Sequence, residues 1–351
     1  MECQMPIFKQ DYKVLVRCFT FNHSKYIKDA LDGFVMQKTD FPFVCAIVDD
    51  CSTDGEHDVI QSYLNTEFNM DSAELYETDY ANIIVAEHKT NINCSFAVFF
   101  LKYNHYSIKK PKTPYLLPLR DICSYEAICE GDDFWIDEKK LQKQVNIMDN
   151  NPNIGFVYTA FETANKDGEF TKYDWCEERM ESARSGDIFA ALLDHNFILT
   201  LTMCVRMDLV KKYVSLDRSN CPSIDYFMYL FFSGNAYGEY VPEKMGCYRV
   251  VPSGMVQSSL ERVNRLCDRA AVRISLLYLK GIFFKRSFWS DVNIKSVILM
   301  KLHRVQKRGL VDASECKEVI KEYPLILMYL PIALSYVLYG RFKRLICKSK
   351  V

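Results

Sequence analysis

Residues 131–133 read Gly-Asp-Asp and follow a short apolar run, residues 125–129, that reads as a buried strand. Two carboxylates in a tight turn at a strand's end suit a divalent cation that carries phosphate oxygens. Hard cations such as Mg²⁺ prefer oxygen ligands and take few from protein when a phosphate supplies the rest. Phe134 and Trp135 close the turn. An isolated Gly-Asp-Asp is also what a solvated acidic turn before a helix looks like, since Gly and Asp are default turn residues. What else shares that edge decides between the two. Two further acidic features are candidates: the pair Asp49-Asp50 after a second apolar run, and Asp225 ahead of an aromatic helical stretch. Taken alone, Asp225 reads as a helix N-cap.

These side chains need elements to hold them. Residues 13–19 (KVLVRCF) are β-prone. Residues 25–37 place Tyr26, Ile27, Ala30, Leu31 and Phe34 at helical spacing, with Ser24 as N-cap. Residues 43–48 (FVCAIV) read as a second buried strand, and residues 49–55 as a turn and cap cluster. Val59, Ile60, Tyr63 and Leu64 then mark a helix, and residues 83–87 (IIVAE) a third strand. This alternation, with strands apolar throughout, predicts an α/β fold: a Rossmann-like, mostly parallel sheet flanked by helices. Ligands of such sheets sit beyond the carboxyl ends of the strands. Thr20 and Asn22, Asp49 and Asp50, and Asp132 and Asp133 would then share one edge.

Residues 91–120 are less legible; within them Lys109-Lys110-Pro111-Lys112-Thr113-Pro114 reads as a basic, proline-marked loop, solvated in the first reading and in contact with phosphate in the lesser one. After the acidic turn, Asp137 is placed to cap a helix with Leu141, Val145 and Met148 inward. Short helices at 188–193 and 209–214 flank a strand at 202–206, an aromatic helix covers 226–232, and a strand covers 245–250. From residue 260 the pattern is helical, with candidate helices at 260–284, 292–308 and 312–323. Residues 324–340 carry no charge, are interrupted by Pro331, and precede Arg341, Lys343, Arg344, Lys348 and Lys350. The stretch is at the short limit for crossing a bilayer. An apolar stretch beside a basic end suits a helix lying on an anionic membrane surface; a buried packing helix is the other reading.

Composition removes several classes. The chain of 351 residues is 49% hydrophobic and 14% aromatic, too apolar for disorder and long enough for a sizeable core. A formal net charge of -1 argues against a general nucleic-acid binder. None of the 14 cysteines shows Cys-x-x-Cys or zinc-ligand spacing, so they read as reduced thiols in a cytosolic setting. The start, Met1-Glu2-Cys3-Gln4, has no basic region followed by an apolar run, so no signal peptide is expected. Phosphate-loop, dinucleotide, zinc-protease and serine-hydrolase motifs are absent from the sequence.

What remains has the order TFNHSKYI, IVDDCSTDG, ICEGDDFWIDEKKLQKQV, PSIDYFMY, GCYRV. Over roughly residues 13–255 this resembles the family-2 glycosyltransferases of the GT-A fold, the inverting class that uses nucleotide sugars, and in detail the bacterial members that build surface polysaccharide. The resemblance implies a catalytic domain at 1–258, with a nucleotide-binding half about 1–135 and an acceptor half about 136–258, and a helical C-terminal extension at 259–351. It implies that Thr20 and Asn22 line the base and ribose and that Asp50 accepts a base N–H, as uracil would supply. Asp132 and Asp133 become the acidic motif, with Asp133 the direct ligand of Mg²⁺ or Mn²⁺. Asn91, or Asn93, falls at a nucleotide-facing turn, and Asp225 at the position of the general base.

The implied activity is transfer of a hexose from a nucleotide-diphosphate sugar, with a UDP-sugar favoured, to a hydroxyl of a glycan or lipid-linked glycan. The implied setting is the cytoplasm, with peripheral contact at the inner face of the membrane through 324–351 and no nucleic-acid partner. Two alternatives stay open: a non-catalytic nucleotide-sugar or carbohydrate binding partner in an assembly complex, and a nucleotidyltransferase, which would be expected to carry a glycine-rich basic loop near its N-terminus. The sequence also departs from the family. Arg17-Cys18 stands where members show apolar residues and proline, and Val251 stands where many have a histidine after Tyr-Arg. Arg249 and Arg120 read equally as diphosphate contacts or structural ion pairs, and Trp135 as a core residue or a floor under the sugar.

Overall fold

Residues 14–20, VLVRCFT, are shielded from water along almost their whole length, as a strand covered on both faces must be. They form the first strand of a ten-stranded sheet in a computed structural model, which describes residues 8, 11–216, 222, 224–251, 260–309 and 313–335. The strands are β1 (Val14–Thr20), β2 (Phe43–Asp49), β3 (Glu74–Glu77), β4 (Ala81–Glu87), β5 (Cys94–Leu101), β6 (Tyr125–Ile128), β7 (Phe134–Trp135), β8 (Ile154–Ala164), β9 (Cys204–Arg206) and β10 (Tyr237–Arg249). They lie in the order β3-β4-β5-β2-β1-β6-β9-β8-β10-β7.

The centre, β5-β2-β1-β6, is parallel. Toward both edges the pairing turns antiparallel, at β4 against β5 and at β9 against β6. The third parallel strand is therefore β5, and the IIVAE segment expected in that role lies in β4, part of an antiparallel edge hairpin with β3. The physical reason is burial. CSFAVFFL of β5 is buried throughout, whereas β4 exposes Asn82 and Glu87.

Two compact units are distinguishable. The first comprises residues 1–184, 198–216 and 238–251. On one face of its sheet, helices α1 (Ile27–Val35), α2 (Glu56–Glu67) and α4 (Lys140–Asn150) pack Leu31, Phe34, Ile60, Leu64, Leu141 and Val145 against Val14, Val16, Cys45 and Phe96. On the other face lies α3 (Thr113–Ile122), whose Tyr115 ring meets Phe99 at 5.9 Å. Helices α5 (Asp174–Ser182) and α7 (Met207–Val214) complete the unit. The residue before α1 is Tyr26, so Ser24 is not its N-cap; the Ser24 N–H instead donates to Asp54 at 2.9 Å.

The second unit comprises residues 185–197, 217–237 and 252–351. Its helices are α6 (Phe189–Asp194), α8 (Asp225–Asn235), α9 (Leu260–Leu279), α10 (Phe288–Arg308) and α11 (Ala313–Glu322). Residues 185–197 and 217–237, expected within the first domain, thus cluster with the C-terminal helices. The Tyr226 hydroxyl donates to the Leu192 carbonyl at 2.8 Å, and the Phe189 ring stacks on Tyr278 at 5.4 Å. Residues 324–329 form a 3-10 helix and residues 330–335 are helical. Among the described residues no helix is long and apolar enough to cross a membrane. Residues 217–221 and 223, ahead of Asp225, and 336–351, which carry the basic cluster, lie outside the described residues.

Candidate functional site

Beyond β6 the chain folds back over the end of β1. Gly131 donates its N–H to the Phe19 carbonyl at 3.1 Å, and a Cβ at 131 would stand 2.1 Å from Thr20 Oγ1 and 2.6 Å from Thr20 Cβ. Only glycine lets the acidic turn lie this close to β1. The turn closes when the Asp133 N–H donates to the Glu130 carbonyl at 3.2 Å.

Asp133 is buried, and its Oδ1 accepts the Arg249 N–H at 2.9 Å. Its other oxygen accepts no hydrogen bond among the described residues. Burial first, and then the neighbouring Asp132 charge, push this carboxyl well above the usual carboxylate range, against the pull of Arg249. Such a carboxyl gains from a divalent cation, which takes the proton's place. The donor set is thin, because among the described residues no group of three or more His, Cys, Asp and Glu converges. A cation here would draw most of its oxygens from a ligand and water.

Arg249, itself buried, holds the turn in place. Its Nε donates to the Asp132 carbonyl at 3.0 Å, its guanidinium pairs with Asp29 of α1, and it lies 4.8 Å from the Tyr26 ring and 5.1 Å from the Phe134 ring. Asp132 is partly exposed, with His23 Nε2 at 3.8 Å from its carboxylate. Trp135 sits in the core and donates its ring N–H to the Leu201 carbonyl at 3.0 Å.

The ends of β1 and β2 are joined by a residue that the motifs do not advertise. Glu56, fully buried at the start of α2, accepts the Thr20 hydroxyl, the His23 N–H at 2.8 Å and the Ser52 hydroxyl at 2.8 Å. Burial raises its pKa, and these three donors oppose the rise. The Thr20 hydroxyl is thereby committed to protein. Asn22 takes the left-handed conformation at φ 57° and accepts the Thr53 N–H at 2.8 Å, which leaves it exposed at the rim.

Asp50 is 1% exposed. Its carboxylate accepts the His105 N–H at 2.7 Å, the Tyr106 N–H at 3.1 Å and the Lys112 ammonium at 2.7 Å. The Asn104 amide donates to the Asp50 carbonyl at 3.0 Å. The basic loop expected to be solvated is therefore anchored on the sheet edge. Asp49, also buried, accepts the Ser52 N–H at 3.0 Å, and burial raises its pKa.

Arg17, Arg120 and Glu126 form a buried cluster on the face covered by α3. Glu126 lies 3.0 Å from Arg17 Nε and 2.7 Å from Arg120 Nε. Both arginines are thus paired structurally.

The structure brings Thr20, Asn22, Asp50, Asp132 and Asp133 to the carboxyl edge of the parallel strands. Asn91 does not join them. It lies before β5, at the opposite, amino edge, where its amide donates to the Val35 and Gln37 carbonyls at 2.8 and 2.9 Å. That places it as a tie between the β4–β5 turn and the end of α1, not as a nucleotide contact. Asp225 is the exposed first residue of α8, in the second unit. Sequence reasoning misses Glu56 and reads the loop of Lys112 mainly as solvated. Glu56 looks like an ordinary acidic residue in a helix's first turn, and only its spacing from Ser52 hints at more. Lys112 lies in the basic loop 109–114, for which a phosphate contact is the lesser reading of the sequence beside solvation.

No family model matches the chain. An uncharacterized protein of Mycobacterium tuberculosis and one of Mycobacterium bovis are each 28% identical over 249 residues, 68% of this chain. The chain spans 59% of the length of these curated relatives. Among solved structures, S. aureus TarS in complex with UDP matches at 17% identity, with 92% of this chain and 91% of that one covered and a TM-score of 0.44. A mannosyltransferase from Pyrobaculum calidifontis, in complex with GDP-Man and Mn²⁺, matches at 12% identity over 98% of this chain and 90% of that one, with a TM-score of 0.48.

Proposed function

We propose that the chain is a metal-dependent, inverting glycosyltransferase that moves a sugar from a nucleotide-diphosphate sugar, with a UDP-sugar favoured, to a hydroxyl of a glycan or lipid-linked glycan. One observation carries the reading. Asp133 is buried, has one carboxylate oxygen that accepts no hydrogen bond among the described residues, and stands beside Asp132 at the carboxyl edge of four parallel strands, where such sheets bind ligands.

Asp133, backed by Asp132, would hold Mg²⁺ or Mn²⁺; when bound, the cation neutralises the departing diphosphate as a Lewis acid. Arg249 fixes the direction of Asp133 through its backbone N–H. Thr20 and Asn22 set the β1 rim for the nucleoside, with Thr20 acting through Glu56. Asp225 is assigned as the carboxylate that takes the acceptor hydroxyl's proton as the new bond forms. One base opposite one leaving group inverts the anomeric centre, unlike the paired carboxylates of retaining glycosidases. Nucleotide diphosphate release from UDP-sugars, with and without Mn²⁺, tests the reading. A binding partner without catalysis releases none.

The same reading covers the end of the chain. Leu325, Met328 and Leu334 are exposed within 324–335, and the sequence that follows carries Arg341, Lys343, Arg344, Lys348 and Lys350. Apolar side chains open to solvent beside a basic run suit peripheral contact with an anionic membrane surface, which would bring the enzyme to a lipid-linked acceptor.

A further inference from the structure

We propose that Asp50 acts on the nucleotide indirectly, as a positioning residue: it pins the 103–112 loop to the sheet edge and holds Lys112, whose ammonium donates to an oxygen of the nucleotide. The inference rests on the nucleotide-sugar reading of this edge.

The first ground is occupancy. Both Asp50 oxygens are already used, one by the His105 N–H and the other by the Tyr106 N–H and Lys112, and the residue is 1% exposed. A base N–H arriving at this carboxylate would have to displace part of the loop. The loop itself is firmly built. His105 is fully buried, with its ring 2.9 Å from the Tyr115 hydroxyl and 2.8 Å from the Tyr103 carbonyl, and the Asn104 side chain accepts the Ser107 N–H at 2.7 Å.

The second ground is supply. An ammonium has three protons. Lys112 gives one to Asp50, and the other two meet no acceptor among the described residues. Its side chain is 20% exposed, and its Nζ stands 5.2 Å from the Phe19 ring, next to Thr20 in β1. Arg17 lies 4.8 Å from the same ring. The edge therefore offers a cation with spare donors beside a half-buried aromatic face, and Asp50 compensates part of that charge. Phosphate oxygens, ribose hydroxyls and a base carbonyl are the nucleotide groups that accept from such a donor.

The test compares wild type with Lys112→Met, Lys112→Arg, Asp50→Asn and the Asp50→Asn/Lys112→Met double variant. The probe is whichever of UDP, GDP, CDP and dTDP raises the wild-type melting temperature most in Mn²⁺. Affinities for it and for its free nucleoside are measured by calorimetry, after melting curves confirm that each variant folds. Lys112→Met should weaken nucleotide binding about tenfold or more, the loss of one charge-assisted hydrogen bond, and Lys112→Arg should restore most of it. Asp50→Asn should weaken it too, and the double variant no further, because the two side chains act as one unit. Loss for the diphosphate alone assigns the oxygen to phosphate; equal loss for the nucleoside assigns it to the base or the ribose. Wild-type affinity in folded Lys112→Met, with loss in Asp50→Asn, would overturn the inference and return direct contact to Asp50. If no nucleoside diphosphate binds wild type, the reading of the site fails and the inference falls with it.

Discussion

Gly131 lies against Thr20 so closely that a Cβ at 131 would sit 2.1 Å from Thr20 Oγ1 and 2.6 Å from its Cβ. The acidic turn and the end of β1 are therefore one piece, and the glycine is what joins them. Gly131→Ala should destabilise the protein by about 1–3 kcal/mol, as overpacking does, and should weaken nucleotide binding more than a surface change of equal stability cost. Adding Thr20→Ala should not rescue it, because the Thr20 Cβ remains. Melting curves and nucleotide titration check both statements. Unchanged binding in Gly131→Ala would show that the turn does not need this approach.

Lys140 is fully buried, donates to the Gln144 amide oxygen at 2.6 Å and lies 4.5 Å from the Trp135 ring. Burial lowers its pKa to about 8. The sign follows from the group: a folded-state pKa below the unfolded value means that the unfolded chain binds the extra proton between the two. Lys140 therefore costs stability at neutral pH, and that cost is relieved as pH rises from about 8 toward 10. Lys140→Met should flatten the difference. It should be more stable than wild type at pH 7 by up to roughly 3 kcal/mol, with the gap closing at pH 10. Denaturant unfolding at the two pH values measures this. A gap that does not shrink with pH would contradict it.

Glu126 behaves in the opposite way. Burial pushes its carboxyl up, but Arg120 and Arg17 outweigh burial and hold it below the usual range. Its contribution is present above the unfolded pKa and is lost as pH falls through the folded one. Arg120→Met should cost about 3–5 kcal/mol, the usual penalty for leaving a buried charge short of a partner. It should also move acid unfolding to higher pH. An acid transition identical to wild type would mean that Arg17 alone suffices.

The exposed apolar residues near the end of the second unit give a separate expectation. The full chain should sediment with vesicles containing anionic lipid and not with neutral ones. Leu325→Glu/Met328→Glu should abolish the binding without changing release of nucleotide diphosphate in solution. Equal binding to neutral vesicles, or none to either, would remove the membrane assignment.

Much of this arrangement can be read in the residues. KVLVRCF and FVCAIV announce buried parallel strands, and the helical spacing behind them places α1 and α2, so the shared edge of Asp50, Asp132 and Asp133 follows. Other parts depend on information that local pattern does not carry. Both IIVAE and CSFAVFFL are apolar, and only tertiary pairing decides that the second is the parallel strand. The direction of that strand in turn puts Asn91 at the wrong edge for a nucleotide. Glu56 and Lys112 are common polar residues in ordinary places, and their importance comes from partners far away in sequence, Thr20 and Asp50. Asp225 takes its assigned role from the order of motifs rather than from its local sequence, which marks only a helix start.

The central claim is that Asp133 makes this edge a metal-dependent sugar-transfer site. The most direct measurement is Mn²⁺-dependent release of nucleotide diphosphate from a panel of nucleotide sugars, by wild type and by Asp133→Asn with an unchanged melting temperature. The account predicts release by wild type that is lost on chelation, and a drop of at least about a hundredfold in the variant, the scale expected when stabilisation of a leaving group is removed. Release by the folded variant at the wild-type rate, or wild-type release indifferent to chelation, would contradict it.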